Sequence, residues 1–329
     1  MSLSLPPNDT TLQVWIDDRD YDGALNASLV DNTVVSSIVN KGLLGGTFTA
    51  AGALRPTYFA AGGLAGGSGA RLVFNGANKL TSSLAASAFT FMHGTTASAI
   101  YTVVKNAAAT AATLVATSTG GATSTGIGHR INTTFRASYF MSDGTALRVN
   151  FNAGNNTTSN GAFDTMVSTL TTGSFNMYVN GVSVGSAAPA LFSASAPANT
   201  LAIGATPTTL LPLTGDIVLV LIYSTAHTAP ERAAVEAWIT SHPAVIGPFV
   251  VMVQGIDART LKVWWSEPVV QSQAENKANY TIVGANNPVV LSATKQSDGS
   301  YLLKTTEMAR NASYTLQASN ISDLEGNPA

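Results

Sequence analysis

The feature that most constrains the fold of this chain is strict alternation of apolar and polar residues next to Asn-Gly or Asp-Gly. Residues 175–179 alternate in this way, and Asn-Gly follows them at 180–181. Asp-Gly separates further pairs of such segments at 143–144 and 298–299. Both dipeptides accept the positive φ angles of a type I′ turn, whose twist matches that of two paired strands. The pattern predicts an antiparallel protein built from hairpins.

One segment departs from this pattern and predicts a helix. Thr228 and Glu231 have the spacing of a capping box, and Pro230 suits the first turn of a helix. An apolar stripe at helical spacing follows. We expect Trp238, which belongs to this stripe, to fill the core, and Pro243 to end the helix.

Few residues carry a charge. Lys and Arg number 16 and Asp and Glu 18, so charged residues are 10% of the 329 and the net charge is −2. A nucleic-acid partner is not expected, because such binding requires a basic excess. The absence of cysteine excludes disulfides, Cys-ligated zinc and thiol nucleophiles.

Neither a secretion signal nor a membrane span is predicted. The first nine residues lack a basic segment followed by an apolar one. The longest apolar run, residues 217–223, is far shorter than the roughly 20 residues that cross a bilayer. This run is instead typical of a strand that is buried on both faces.

The distribution of charge predicts two domains. Glu231 and Glu236 are the only glutamates before residue 248, whereas four glutamates and four lysines lie after it. The change falls at a Gly-Pro step, and we place the domains at residues 1–247 and 248–329.

Residues 105–128 consist almost entirely of small side chains. Thr and Val favour strands, so we expect short strands here, joined by a loop at residues 117–126. Small side chains would let another subunit approach this loop closely, and a mobile loop in solvent is the alternative.

The first domain resembles the laminin-G-like, concanavalin A-type jelly-roll sandwich. The matching motifs occur in the family's order: LQVWID at 12–17, ARLVFNG at 70–76, YVNGV at 178–182, LTGDIVLVLIY at 213–223 and PERAAVE at 230–236. The resemblance covers about residues 10–245 and implies an all-β fold with one short helix at its C-terminal end.

The second domain resembles a bacterial immunoglobulin-like module, which implies a small β-sandwich. LKVWWSEPV at 261–269, NYTI at 279–282 and ISDLEGNP at 321–328 carry the resemblance. The family usually has one further strand after the last motif. We therefore expect an open sheet edge at residues 314–318, where Tyr314 and Leu316 would bind a partner strand. The alternatives are that residues 249–253 close this edge, or that a longer chain supplies the strand.

Enzymatic activity is not expected. Sandwiches of the first type include glycoside hydrolases, which need two carboxylates about 5–10 Å apart. The only two glutamates of the first domain lie in the predicted helix, and the four histidines lack metal-ligand spacing. A glycoside hydrolase is kept as a remote alternative.

Two features suggest binding sites. Asp18, Asp20 and Asp22 precede a glycine, as in the first half of a calcium loop, although position 12 of that loop is Leu29 instead of Glu. Calcium is therefore one interpretation of these residues, and an ordinary acidic turn is the other. Trp264 is expected to point outward, because its neighbour Trp265 occupies the family's buried position, and an exposed Trp suits a protein contact or a glycan.

The two resemblances together suggest a function. Virion proteins of tailed bacterial viruses often carry modules like both, and they reach the outside without a secretion signal. The first hypothesis is a non-enzymatic virion surface protein, such as a capsid decoration protein, a head fibre or a tail accessory. It would be assembled in the host cytoplasm, dock on capsid or tail proteins, form homo-oligomers and contact host-surface glycans. The alternative is a carbohydrate-binding module or a bacterial surface adhesin.

Overall fold

The computed structural model of the protein describes residues 5–63, 69–93, 97–120, 122–189, 195–241, 250–265, 268–310 and 312–321. These residues form two compact units, one within residues 4–244 and one formed mainly by residues 245–329. The predicted domain boundary at residue 247 lies outside the described residues.

The first unit is built almost entirely from strands. Its described strands are β1 (Leu12–Asp17), β2 (Thr33–Val34), β3 (Ser37–Val39), β4 (Thr47–Thr49), β5 (Thr57–Phe59), β6 (Arg71–Asn75), β7 (Leu80–Ser82), β8 (Ser98–Asn106), β9 (Ala112–Ala116), β10 (Gly126–Asn132), β11 (Arg136–Ser142), β12 (Leu147–Asn152), β13 (Phe163–Thr171), β14 (Ser174–Val179), β15 (Val182–Ala187), β16 (Ala202–Ile203) and β17 (Thr214–Tyr223). Helix α1 spans Ala229–Thr240, and short 3-10 helices lie at Asp9–Thr11, Gly52–Leu54 and Ala86–Met92.

These strands form two antiparallel sheets. The nine-stranded sheet has the order β15-β14-β13-β8-β17-β6-β5-β2, and β1 also pairs with β17. The eight-stranded sheet has the order β12-β11-β10-β9-β16-β7-β4-β3. Strand β17 pairs with β8 along one edge and with β6 and then β1 along the other. Its residues after Thr214 are all buried, as the apolar run predicts.

The predicted hairpins are present. Asn-Gly at 180–181 joins β14 to β15, and Asp-Gly at 143–144 lies between β11 and β12. Asn180 adopts φ 50° and Gly181 φ 79°, the left-handed values that a type I′ turn requires. The all-β fold class is confirmed.

A shared core lies between the two sheets, and alternation along β10 and β11 decides which side chains reach it. Ile127 and Ile131 on β10, and Tyr139 and Met141 on β11, are buried in this core. The alternate residues of both strands therefore point away from it. We call the side on which these alternate residues lie the outer face of the eight-stranded sheet.

Helix α1 begins as the sequence predicts. The backbone N–H of Thr228 donates to the Glu231 Oε2 atom at 2.8 Å. Val235 and Ile239 are its buried residues. Trp238, which the sequence placed in the core, is only half-buried, and the Arg19 guanidinium lies 5.2 Å from its ring centroid. The predicted stop at Pro243 lies outside the described residues.

The second unit is also antiparallel. Its described elements are β18 (Val250–Asp257), β19 (Thr260–Trp265), α2 (Gln271–Ala274), a 3-10 helix (Lys277–Asn279), β20 (Tyr280–Gly284), β21 (Val290–Lys295), β22 (Tyr301–Thr305) and β23 (Tyr314–Ala318). One sheet has the order β18-β19-β22-β21, and β20 pairs with β23 in another. The predicted Asp-Gly turn at 298–299 lies between β21 and β22. The immunoglobulin-like assignment of this unit stays a prediction.

Helices that are both long and apolar enough to cross a membrane are absent from the described part of the chain.

Candidate functional site

The three aspartates proposed as calcium ligands have different surroundings. Asp18 is buried, and Lys41 Nζ lies 3.6 Å from Asp20 Oδ2. Asp22 accepts backbone N–H groups of Ala24, Asn26 and Ser28. Burial by itself would raise the pKa of Asp22, but these bonds and the Ser28 hydroxyl lower it.

This arrangement favours the turn interpretation of the acidic segment. No group of three or more His, Asp or Glu side chains among the described residues is placed to hold a metal ion. The calcium site stays a prediction, and a lysine partner and a backbone turn already engage two of its three carboxylates.

Trp264 and Trp265 lie on opposite sides of β19, and both are half-buried. Trp265 packs against the core of the second unit. Lys262 Nζ lies 5.1 Å from the centroid of the Trp264 ring and 2.7 Å from Asp298 Oδ2. Trp264 borders a surface cavity together with Asp298 and Tyr301. The proposed contact through Trp264 stays a prediction.

Two strands of the second unit, β23 and β18, each pair with a single described strand and are therefore places where a partner strand could dock. Tyr314 and Leu316 lie on β23, and β20 is its sole partner among the described strands. Residues 250–253, which the sequence offered as a closing strand, belong to β18 and pair with β19. Val251, Met252, Val253 and Ile256 of β18 are all 42–56% exposed.

The outer face of the eight-stranded sheet carries an arginine for which the described residues provide no counter-charge. The Arg130 Cζ atom on β10 lies 4.2 Å from the centroid of the Phe140 ring on β11. Within the described residues, the Arg130 guanidinium has neither a carboxylate nor a hydrogen-bond acceptor as a partner. Burial alone lowers the pKa of Arg130. An arginine guanidinium is not deprotonated in proteins, so the side chain stays charged.

Two glycines leave room for this stacked pair. A Cβ atom on Gly128 would lie 1.9 Å from the Phe140 ring, so only glycine lets that ring lie across β10. Gly120, at φ 102°, passes close to the guanidinium, since a Cβ there would lie 3.7 Å from Arg130 Nη1. Gly120 belongs to the loop at residues 117–126. The Ser118 hydroxyl donates to the Ser124 carbonyl at 2.7 Å and so connects the two ends of this loop.

A second unsatisfied polar group lies beside the arginine. Thr113 on β9 is the cross-strand partner of Arg130, so the two side chains share the outer face. Thr113 is fully buried, and none of the described residues hydrogen-bonds its Oγ1 atom. Ser138, the partner of Arg130 on β11, donates its hydroxyl to Asn152 Oδ1 at 3.0 Å. Asn150, the partner of Phe140 on β12, is exposed.

Several described carboxylates of the first unit have structural partners. Asp17 binds Arg19 through two hydrogen bonds of 2.9 and 2.7 Å, and Asp216 lies 2.6 Å from Arg71. Hydrogen bonds from Thr228 lower the pKa of Glu231. A general acid of a glycosidase needs the opposite shift.

Sequence reasoning missed Arg130. The signal was present, because Arg130 is the only Lys, Arg, Asp or Glu between residues 106 and 135. An arginine without an acidic neighbour in a strand-forming segment can be found by inspection. Its stacking on Phe140 and its pairing with Thr113 depend on which strands are neighbours.

Comparison with known families supports the sequence-based resemblance for the central part of the first unit. Residues 79–231 match the Laminin_G_3 family, described as the Concanavalin A-like lectin/glucanases superfamily. The matched segment begins just before β7 and ends within α1, and it includes Thr113, Arg130 and Phe140. A concanavalin A-like domain is thereby supported for this segment. No curated protein matches the chain.

Solved structures with similar coordinates include several binding domains. Domain 4 of the arabinanase AbnA from Geobacillus stearothermophilus, in complex with arabinotriose, is 16% identical, with 69% of this chain and 98% of that chain covered and a TM-score of 0.46. The CBM40 of a Ruminococcus gnavus sialidase, bound to sialyllactose, is 11% identical, with 44% and 84% covered and a TM-score of 0.38. The binding domain of botulinum neurotoxin serotype C1 is 9% identical, with 94% and 79% covered and a TM-score of 0.45. All three scores are below 0.5.

Proposed function

We propose that this protein is a non-enzymatic carbohydrate-binding protein. The observation that carries the proposal is the outer face of the eight-stranded sheet, where Arg130 and Thr113 Oγ1 lack partners among the described residues. The match to a superfamily of lectins and glucanases spans this face. Saccharides are bound by polar side chains that are fixed in place, and the half-buried Arg130, packed on the buried Phe140 ring, lies with the exposed Asn150 on this face.

Binding is favoured over hydrolysis. Four of the described carboxylates of the sandwich hold Arg19, Lys41, Arg71 and the first turn of α1. Each of these four carboxyl groups already has a structural role, which does not suit a group that must flank a glycosidic bond.

The test is binding of the full-length chain to an array of neutral and acidic oligosaccharides, with release of reducing ends measured on every glycan that binds. Saturable binding that free glycan displaces, without cleavage, supports the proposal. Cleavage contradicts its non-enzymatic part, and a chain that binds no glycan on the array contradicts the whole.

Two variants test the location. Asn150→Leu removes an exposed amide from the outer face, whereas Asn176→Leu removes a half-buried amide from β14 of the nine-stranded sheet. We expect weaker binding in the first variant and unchanged binding in the second. Equal affinities would place the glycan elsewhere.

A second candidate function is docking on a larger assembly, as in the virion hypothesis. One observation favours it: β18 exposes apolar side chains while pairing on one edge within the described sheet. Its residues 250–256 carry no charge and no proline, the usual protection of an edge strand. An extended apolar strand of a partner could extend this sheet.

Met252→Lys tests this candidate, with Val289→Lys as the control at an exposed position outside the strands. Native mass spectrometry of the full chain should give an oligomer that only Met252→Lys disrupts. A protein that stays monomeric at every concentration would exclude the oligomer. Its absence from purified virus particles would exclude the virion role.

A further inference from the structure

Arg130 is half-buried. A guanidinium that is partly removed from water loses part of its hydration, and proteins normally compensate this loss with a carboxylate or with hydrogen bonds. Six other cations of the first unit have a carboxylate within 4 Å: Arg19, Lys41, Arg71, Lys105, Arg148 and Arg232. Arg130 has the Phe140 ring instead.

The neighbouring arginine on the same face differs in this respect. Arg136 on β11 donates its Nε–H to the Ala153 carbonyl at 3.1 Å, so the backbone satisfies part of its guanidinium. Arg130 is half-buried above the Phe140 ring, and none of the described residues accepts a hydrogen bond from its guanidinium.

The Thr113 hydroxyl beside Arg130 is a second polar group without a partner among the described residues. Thr113 Oγ1 is fully buried without a described partner, and its strand position is directly across from Arg130. Cβ atoms of such pairs are about 5 Å apart. An oxyanion bound to the guanidinium, planar or tetrahedral, would lie on the same face as Thr113. Guanidinium forks bind carboxylates through two parallel hydrogen bonds, and they also bind sulfate.

We propose that Arg130, supported by Phe140 and flanked by Thr113, binds the anionic group of an acidic saccharide. The anion is a carboxylate or a sulfate ester, and it supplies the counter-charge that the fold omits. This inference rests on the proposed carbohydrate-binding function and specifies the class of ligand.

The experiment measures the affinity of the full-length chain for three pairs of glycans that differ in charge. These are trigalacturonate and its methyl ester, sialyllactose and lactose, and sulfated and unsulfated chondroitin tetrasaccharides. The first two pairs test recognition of a carboxylate, and the third pair tests recognition of a sulfate ester. Sodium sulfate, added as a competitor, tests whether the site binds a free inorganic ion.

Three variants are compared. Arg130→Gln removes the charge but keeps an amide donor, and Arg136→Gln removes the same charge one strand away. Arg130→Lys keeps the charge without the planar fork and replaces the Gln variant if that one does not fold, as judged by thermal unfolding. We expect at least one acidic glycan to bind about 10-fold or more tightly than its neutral partner, and Arg130→Gln to abolish this preference. Arg136→Gln should retain it, and Arg130→Lys should weaken it several-fold.

The failures can be told apart. Equal affinities for charged and neutral partners would overturn the acidic-ligand inference and leave carbohydrate binding intact. A preference that survives in Arg130→Gln, or that Arg136→Gln reduces equally, would overturn the role of Arg130. Binding of sodium sulfate without any glycan would overturn both proposals, as would binding of no probe.

Discussion

Arg130 and Phe140 form a cation–π pair across two neighbouring strands, with 4.2 Å between the guanidinium carbon and the ring centroid. Arg19 shows the contrasting arrangement in the same unit, because its guanidinium lies 2.7 Å from the buried Asp17 carboxylate. One arginine thus satisfies a buried acid, while the other has no described acid to satisfy. The two side chains should respond differently to replacement.

Arg19→Met should destabilise the protein by about 3–5 kcal/mol, because it leaves Asp17 buried without its cation. Arg130→Met should change the free energy of unfolding by about 1 kcal/mol or less, since only a cation–π contact is lost and an unpaired charge is removed. Urea denaturation of both variants checks the contrast. A loss in Arg130→Met as large as in Arg19→Met would assign Arg130 a structural role.

Gly128→Ala should destabilise the protein by about 1–3 kcal/mol or more, because the new methyl group would overlap the Phe140 ring. Gly154→Ala is the matched control, since nothing lies within 4 Å of a Cβ atom there. Thermal unfolding measures both. Phe140→Leu should relieve the defect when combined with Gly128→Ala, and an additive double variant would mean that the clash is not its cause.

Stability should fall as the pH decreases below about 6.5, the unperturbed pKa of histidine. Burial between the sheets lowers the pKa of His129 to about 3, where its ring hydrogen-bonds the Thr102 hydroxyl. The unfolded chain therefore binds a proton between these values that the folded chain does not, and by pH 5 this costs about 2 kcal/mol. Burial also lowers the pKa of His93 and His227, which adds to the effect.

Urea denaturation at pH 7.5 and pH 5 tests this linkage, with His129→Leu as the comparison. The variant should lose less stability than the natural chain between the two values. The same loss in both would mean that folding does not lower the pKa of His129.

Millimolar calcium should leave the melting temperature unchanged, because Lys41 and the turn at residues 24–28 engage Asp20 and Asp22. An ion present at 100 times its Kd would stabilise the folded protein by about 2.7 kcal/mol. Thermal unfolding measured with calcium and with a chelator distinguishes a chain that binds calcium from one that does not. A rise with calcium that Asp20→Asn abolishes would restore the metal site.

Local signals were sufficient to predict the hairpins and the helix. The turn at Asn180 and Gly181 depends only on the backbone conformations of these two residues. The start of α1 depends on hydrogen bonds between Thr228 and Glu231, which are three residues apart. The environment of Asp20 could not be predicted in this way, since its partner Lys41 is 21 residues away.

The Arg130 site depends on strand order. Thr113, Arg130 and Phe140 come from three successive strands, β9 to β11, and which residues face each other depends on register. A bulge between His129 and Arg130 shifts the β9 pairing, and the sequence contains no signal for that shift. The half-buried position of Trp238 was missed for a related reason, because the helical stripe does not show which of its residues meet the sheet.

The glycine at 128 has an entropic consequence. The Phe140 ring is buried and lies over Gly128, so Arg130 packs on a ring that its surroundings hold. An arginine side chain has roughly 2 kcal/mol of rotamer entropy to lose when it becomes ordered. Packing on this ring removes part of that freedom before any ligand binds, so the proposed anion would find its donors close to the required position.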